Sequence, residues 1–160
     1  MEEFKIVKTR EELASDANHL VSLAEESLVY AYAPYSKFKV GVAILLDNGV
    51  IITGTNQENA AYPSGMCAER VALFTVASQY PGVRIKKLAV VAKGESTQTL
   101  TPATCCGSCR QVMLEFEERQ TSIFEVIMQI DDGSWVTTAS ARSLLPFSFT
   151  NSSLWRSSEA

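Results

Sequence analysis

The sequence predicts an α/β protein in which helices cover both faces of one mixed sheet of about five strands, a three-layer α/β/α arrangement. Three observations predict it. Stretches with helical apolar spacing alternate with apolar runs of strand length, in the order α-β-β-α-β-α-β-β-α. Asn48-Gly49, between two apolar runs, marks a tight antiparallel hairpin. The length of 160 residues suits a single domain over 1–160 that can bury its own core, with the core over about 20–149 and a polar tail over 150–160.

The elements follow in order. Thr9, with Glu12 three residues on, forms a capping box. Leu13, Ala17, Leu20, Leu23 or Ala24, and Leu28 then recur at helical spacing, which predicts a helix over 10–32 that breaks at Pro34. "KVGVAILL" and "DNGVIITG" are the arms of the hairpin, and "TNQENAAYPSGM" reads as an irregular polar loop. From Cys67, the spacing of Val71, Leu73, Phe74, Val76 and Ala77 predicts a helix that ends at Pro81-Gly82. "KKLAVVAK" reads as a buried strand and "GESTQTLTPAT" as a loop. "GSCRQVMLEFEER" is a further helix with Val112, Met113 and Phe116 along one face. "SIFEVIMQI" and "WVTTA" are strands around a "DDGS" turn. "SARSLLPFSF" is a short last helix stopped by Pro146, and the tail is polar except for Leu154 and Trp155.

Composition narrows the function classes. The net charge is −4 and the pI is 5.1. A nucleic-acid partner is not expected, because binding one requires a basic stripe that displaces counterions. The N-terminal stretch is acidic and lacks the apolar core of a signal peptide. No segment approaches the roughly 20 apolar residues that span a bilayer. A cytoplasmic location, with reduced thiols and no membrane partner, is the expectation.

The four cysteines cluster in two places. Cys106 and Cys109 form a C-x-x-C at a helix start, a spacing that suits either two ligands of one metal ion or a redox pair. Cys67 opens another helix and is a third candidate ligand. Two helix N-termini aimed at one point would lower the thiol pKa values. The only histidine, His19, falls in the first helix and is not expected to be a ligand. Cys105 adjoins Cys106, and neighbours rarely reach one ion from a helix start. Three thiolates leave an open fourth position, which favours a catalytic over a closed structural zinc site. Glu69, two residues after Cys67, is placed to take a proton from a water in that position. A lone glutamate there would be no more than a favourable charge at a helix N-terminus. A zinc-stabilised binding module and a metal-free thiol redox protein remain the rivals from other classes.

C-x-E followed by C-x-x-C is the cysteine form of the zinc deaminase signature. Together with "YSKFKVG", "NQENAAYPSGMCAER", "CCGSCRQVMLEF" and "LLPFSF", it resembles the small homotetrameric cytidine deaminases of pyrimidine salvage over residues 31–149. The resemblance implies a cytidine deaminase-like fold and hydrolytic attack on C4 of cytidine and 2'-deoxycytidine. It implies one zinc ion per chain, held by Cys67, Cys106 and Cys109. Glu69 would shuttle the proton and bond ring N3. Asn56 and Glu58 would bind the ribose hydroxyls, and the Ala68 N–H the base carbonyl O2. Phe38 would pack on the pyrimidine, and the Thr104 carbonyl would accept from the departing amine. Tyr35 and Tyr62 would lie near the sugar, and Phe149 would reach a neighbouring subunit's site. Three thiolates on Zn²⁺ leave a net negative centre, which the Arg70 guanidinium would offset. One position departs from the family: Cys105 stands where proline is usual. That substitution restores an N–H and removes a restraint on φ. It leaves Cys105 as an oxidation liability or an alternative ligand.

Overall fold

The computed structural model describes residues 4–154, so Trp155 lies outside the described residues. The described chain forms β1 (Phe4–Val7), α1 (Ser15–Ser27), β2 (Phe38–Leu46), β3 (Ile51–Thr55), α2 (Ala68–Gln79), β4 (Ile85–Gly94), α3 (Gly107–Gln120), β5 (Glu125–Gln129), β6 (Trp135–Thr138) and α4 (Asn151–Leu154). The strands make one sheet in the order β1-β6-β5-β4-β2-β3. Only β4 and β5 pair in parallel, with α3 as the crossover between them.

The α/β class and mixed sheet match the expectation, with one more strand than the five anticipated. The sixth is β1, an edge strand of four residues that pairs with β6. So short a stretch carries no legible period, and its partner lies near the other end of the chain. The helix expected over 10–32 is divided. The Thr9 capping box closes a 3-10 turn at Arg10–Glu12, with the Thr9 N–H donating to Glu12 Oε1 at 2.9 Å. α1 begins at Ser15, and a second 3-10 turn follows at Leu28–Tyr30. The last predicted helix is likewise a 3-10 turn, at Ala141–Leu144.

Strand alternation divides the core into two layers. Ala43, Ala89, Val91 and Ile127 face α1, meeting Ala17, Leu20, Val21 and Ala24. Val42, Ile44, Leu88, Val90, Val126 and Met128 face α2 and α3, meeting Ala72, Leu73, Val76, Met113 and Phe116. β4 is therefore apolar on both faces, which is why "KKLAVVAK" shows no alternation.

The topology positions the site. β3 and β4 both run antiparallel to β2, so they point the same way. Each leads into a helix on the same face of the sheet, so the N-termini of α2 and α3 reach the same sheet edge. This is the edge where α/β proteins form their binding crevices. The start of β2 arrives there too, carrying Phe38 and Val40. The approach of α2 depends on Gly54: a Cβ there would lie 2.6 Å from Ala72 N and 2.8 Å from Ala68 O. Only glycine lets β3 pass that close beneath the helix.

Candidate active site

Cys67 is the N-cap of α2 and Cys106 the N-cap of α3, and neither makes a side-chain cap bond. Serine or aspartate in these positions would satisfy the first free N–H groups of the helix. Cysteine leaves those donors and the positive helix ends directed at the thiols. Cys109 lies in the first turn of α3 and is fully buried. The three Sγ atoms lie within 4.8 Å of one another, with Cys67 and Cys106 4.0 Å apart. Thiolates on a tetrahedral zinc ion, each bonded at about 2.3 Å, stand about 3.8 Å apart, so this donor set fits zinc in chemistry and spacing.

The electrostatics of the trio suit a cation. The Cys67 thiol is pulled down to about 5, chiefly by a hydrogen bond from the Cys109 thiol and, against burial, by Arg70. That same bond, with burial, raises the Cys109 pKa. Arg70 Nη2 donates to Cys67 Sγ at 3.4 Å. Its Nε is buried and has no partner among the described residues.

Glu69, in the first turn of α2, is only 5% exposed. Burial raises its pKa, with the Cys67 charge adding to the rise and its own backbone N–H opposing it. It lines a cavity of about 650 Å³ together with Cys67, Ala68, Arg70, Thr104 and Cys106 at one end and Tyr35, Phe38, Asn56, Glu58 and Tyr62 at the other. Ala68 is the first residue of α2, a position whose N–H has no acceptor within the helix. The Tyr35 and Tyr62 rings meet at the rim, 5.8 Å between centroids.

Asn56 and Glu58 have partners that sequence reasoning missed. Asn56 Oδ1 accepts from Val40 N–H at 2.8 Å and Nδ2 donates to Phe38 O at 2.9 Å, continuing the β2–β3 ladder with a side chain. Glu58 Oε2 accepts from Tyr35 N–H at 2.9 Å and Ser36 N–H at 3.2 Å, and Oε1 accepts from the Ser36 hydroxyl. Those bonds, led by Ser36, hold the Glu58 pKa below the usual carboxylate range. The predicted irregular loop is also tied down by backbone: Gln57 bridges Tyr32 on one side and Met66 on the other.

Three other residues named from the sequence lie away from the thiol trio. Cys105 stands apart from the thiol trio, 2% exposed, with its thiol 3.3 Å from Met128 Sδ. Burial, reinforced by the Glu69 charge, raises its pKa well above that of an ordinary thiol. His19 lies exposed on α1, across the sheet from the site. Phe149 does not line this chain's cavity; it is 59% exposed, and its carbonyl accepts from Gln111 Nε2 at 2.8 Å.

A buried carboxylate beside three clustered thiols that could hold a metal ion suits a hydrolytic metal centre. A family model described as the cytidine and deoxycytidylate deaminase zinc-binding region matches residues 14–125. A cytidine deaminase of Sporosarcina psychrophila is 38% identical over 140 residues, 87% of this chain and 95% of the relative. One of Halalkalibacterium halodurans is 39% identical over 136 residues, 84% and 95% of the two chains. The crystal structure of cytidine deaminase from Burkholderia pseudomallei superposes with a TM-score of 0.69 at 38% identity, covering 86% of this chain and all of that one. The chain belongs to the cytidine deaminase family and is, with it, a hydrolase.

Proposed function

We propose that this enzyme converts cytidine and 2'-deoxycytidine, with water, to uridine and 2'-deoxyuridine and ammonia, in pyrimidine salvage in the cytoplasm. The observation that carries the reading is a buried carboxylate, Glu69, two residues after one thiol of a clustered trio and lining the same cavity as Cys67 and Cys106. Zinc, one ion per chain on Cys67, Cys106 and Cys109, supplies the Lewis acidity that makes water nucleophilic at neutral pH.

The chain's own residues do the rest. Glu69 carries one proton of the attacking water to ring N3, and then carries the second from the new C4 hydroxyl to the departing amine, so that the C4 carbonyl forms as ammonia leaves. Its raised pKa suits a group that both accepts and donates. The Ala68 N–H receives the base carbonyl O2, and the Thr104 carbonyl accepts from the amine. Phe38 packs against the pyrimidine ring. Glu58 and Asn56 accept from the ribose hydroxyls, with Tyr35 and Tyr62 flanking the sugar. A carboxylate turned toward a sugar rewards nucleosides and penalises free bases that lack those donors. Arg70, on Cys67 Sγ, offsets the negative charge of three thiolates. Phe149 reaches the cavity of a neighbouring subunit in a homotetramer of these single-domain chains.

The polynucleotide alternative is disfavoured by the acidic composition, with a net charge of −4. The decisive test is the ultraviolet change on conversion of cytidine to uridine by zinc-loaded protein. Conversion is expected. Folded, zinc-loaded protein that leaves cytidine and deoxycytidine untouched would overturn the substrate assignment.

A further inference from the structure

Arg110 follows the third cysteine of the trio but does not line the cavity. Its bonds concern Cys106, the half of the C-x-x-C pair that lies outside the helix. Its side-chain Nε donates to the Cys105 carbonyl at 2.8 Å. Its backbone N–H donates to the Cys106 carbonyl at 3.0 Å. The two peptide units flanking the Cys106 Cα are therefore both held by one residue. Those units set the extended φ and ψ of Cys106, −69° and 164°, and with them the direction of its thiol.

The backbone of this turn has few other hydrogen bonds among the described residues. Cys105 is packed in the core but lacks the fixed φ of a proline, and its N–H meets the Met128 sulfur at 3.4 Å. Cys106 has no side-chain cap bond and is solvent-exposed. Arg110 also reaches further: Nη1 donates to the Leu144 carbonyl at 3.2 Å. One guanidinium thus bridges the turn that carries Cys106 and the 3-10 turn at Ala141–Leu144.

We propose that Arg110 is a positioning residue for the metal site: it holds the Cys106 thiol aimed at Cys67 and Cys109, and it couples that aim to the 141–144 turn. The inference rests on the zinc reading above. A bidentate fork is required, because two carbonyls must be met at once. Lysine carries the same charge and meets only one of them well. Because coupling between two sites is reciprocal, an intact metal site also steadies the 141–144 turn.

The test compares zinc-loaded wild type with Arg110→Met, Arg110→Lys and Gln111→Ala. The last removes only the neighbouring bond to the Phe149 carbonyl. The first readout is the rate of zinc transfer to a chromogenic chelator. Arg110→Met is expected to release zinc about tenfold faster or more, the usual cost of losing a group that orients a ligand. Arg110→Lys is expected between it and wild type, and Gln111→Ala at the wild-type rate. The second readout is hydrogen exchange over 141–144. Zinc removal is expected to accelerate it in wild type and to change it much less in Arg110→Lys. Should Arg110→Met fail to fold, Arg110→Lys decides. Zinc release from folded Arg110→Lys at the wild-type rate, or an equal exchange response in the two proteins, overturns the inference alone. Purified wild type that binds no zinc overturns both the inference and the reading beneath it.

Discussion

The floor and the rim of the cavity are built by different means. The floor, with Cys67, Glu69 and Cys106, sits at the starts of two helices, with Cys109 clustered beside the two thiols. Their placement follows from strand direction, the close pass at Gly54 and an apolar layer behind them. The rim, with Tyr35, Ser36, Glu58 and Tyr62, is loop held by side chains that bond to backbone across 22 or 23 residues. Tyr62 is 74% exposed there, whereas Glu69 on the floor is only 5% exposed. The contrast separates two kinds of work. Reacting groups need a geometry preset by rigid elements. The rim groups proposed to bind the sugar are already committed to shaping the loop, so a change there is expected to alter the fit of the substrate before it alters the chemistry.

The comparison breaks most sharply at a floor ligand. Cys106→Ala is expected to lose both zinc and turnover, read by metal analysis and the ultraviolet assay. Cys105→Pro, one residue away but buried against Met128, is expected to keep both. Equal loss in the two would refute the ligand assignment. Next comes Glu69→Gln, which keeps shape and burial but cannot accept a proton. Zinc content should stay at wild type while kcat falls about a thousandfold. Substantial retained turnover would end the proton-shuttle role.

A rim change should act differently. Glu58→Ala is expected to raise KM for cytidine about tenfold, through lost charge-assisted bonds, with a smaller change in kcat. A fall in kcat without a change in KM would place Glu58 with the floor. The smallest effect lies away from the cavity. Lys87 bridges Asp16 at 2.9 Å and Glu125 at 2.8 Å, tying α1 to β4 and β5. Burial alone would lower the Lys87 pKa, but its two partners outweigh it and the pKa stands raised. The bond to Lys87 holds the Asp16 carboxyl below its ordinary value of 3.8. A depressed carboxylate contributes its stability above the unfolded-state pKa and loses it as pH falls through the folded one. Asp16→Asn should therefore cost about 0.5 kcal/mol at pH 7 in urea unfolding, and nothing once pH falls below the depressed Asp16 value.

Much of the molecule was legible before its structure. The order of helices and strands from α1 to β6 followed from apolar spacing, because each of these elements buries at least one face, whereas β1 and the short α4 in the polar tail were not expected. What failed was short or distant. β1 needs β6 to be a strand at all. The 3-10 turns at Arg10–Glu12 and Leu28–Tyr30 interrupt a pattern that reads as one continuous helix. In the site, C-x-E and C-x-x-C were visible as local spacings. The Asn56 and Glu58 bonds to β2 and to the Tyr35–Ser36 turn were not, since nothing in the sequence pairs residues that far apart. Arg110 stood next to a candidate ligand in plain sight, but no local signal says which carbonyls it meets.

The sequence by itself determined the donor atoms, the two helix starts that carry them and the glutamate beside the first, because these depend on spacings of two and three residues. Tertiary structure decided that the two helix starts share one edge, since that follows from β3 and β4 both opposing β2. It also decided that Glu69 is buried and Cys105 turned into the core, because burial belongs to the assembled layers and not to any stretch of chain.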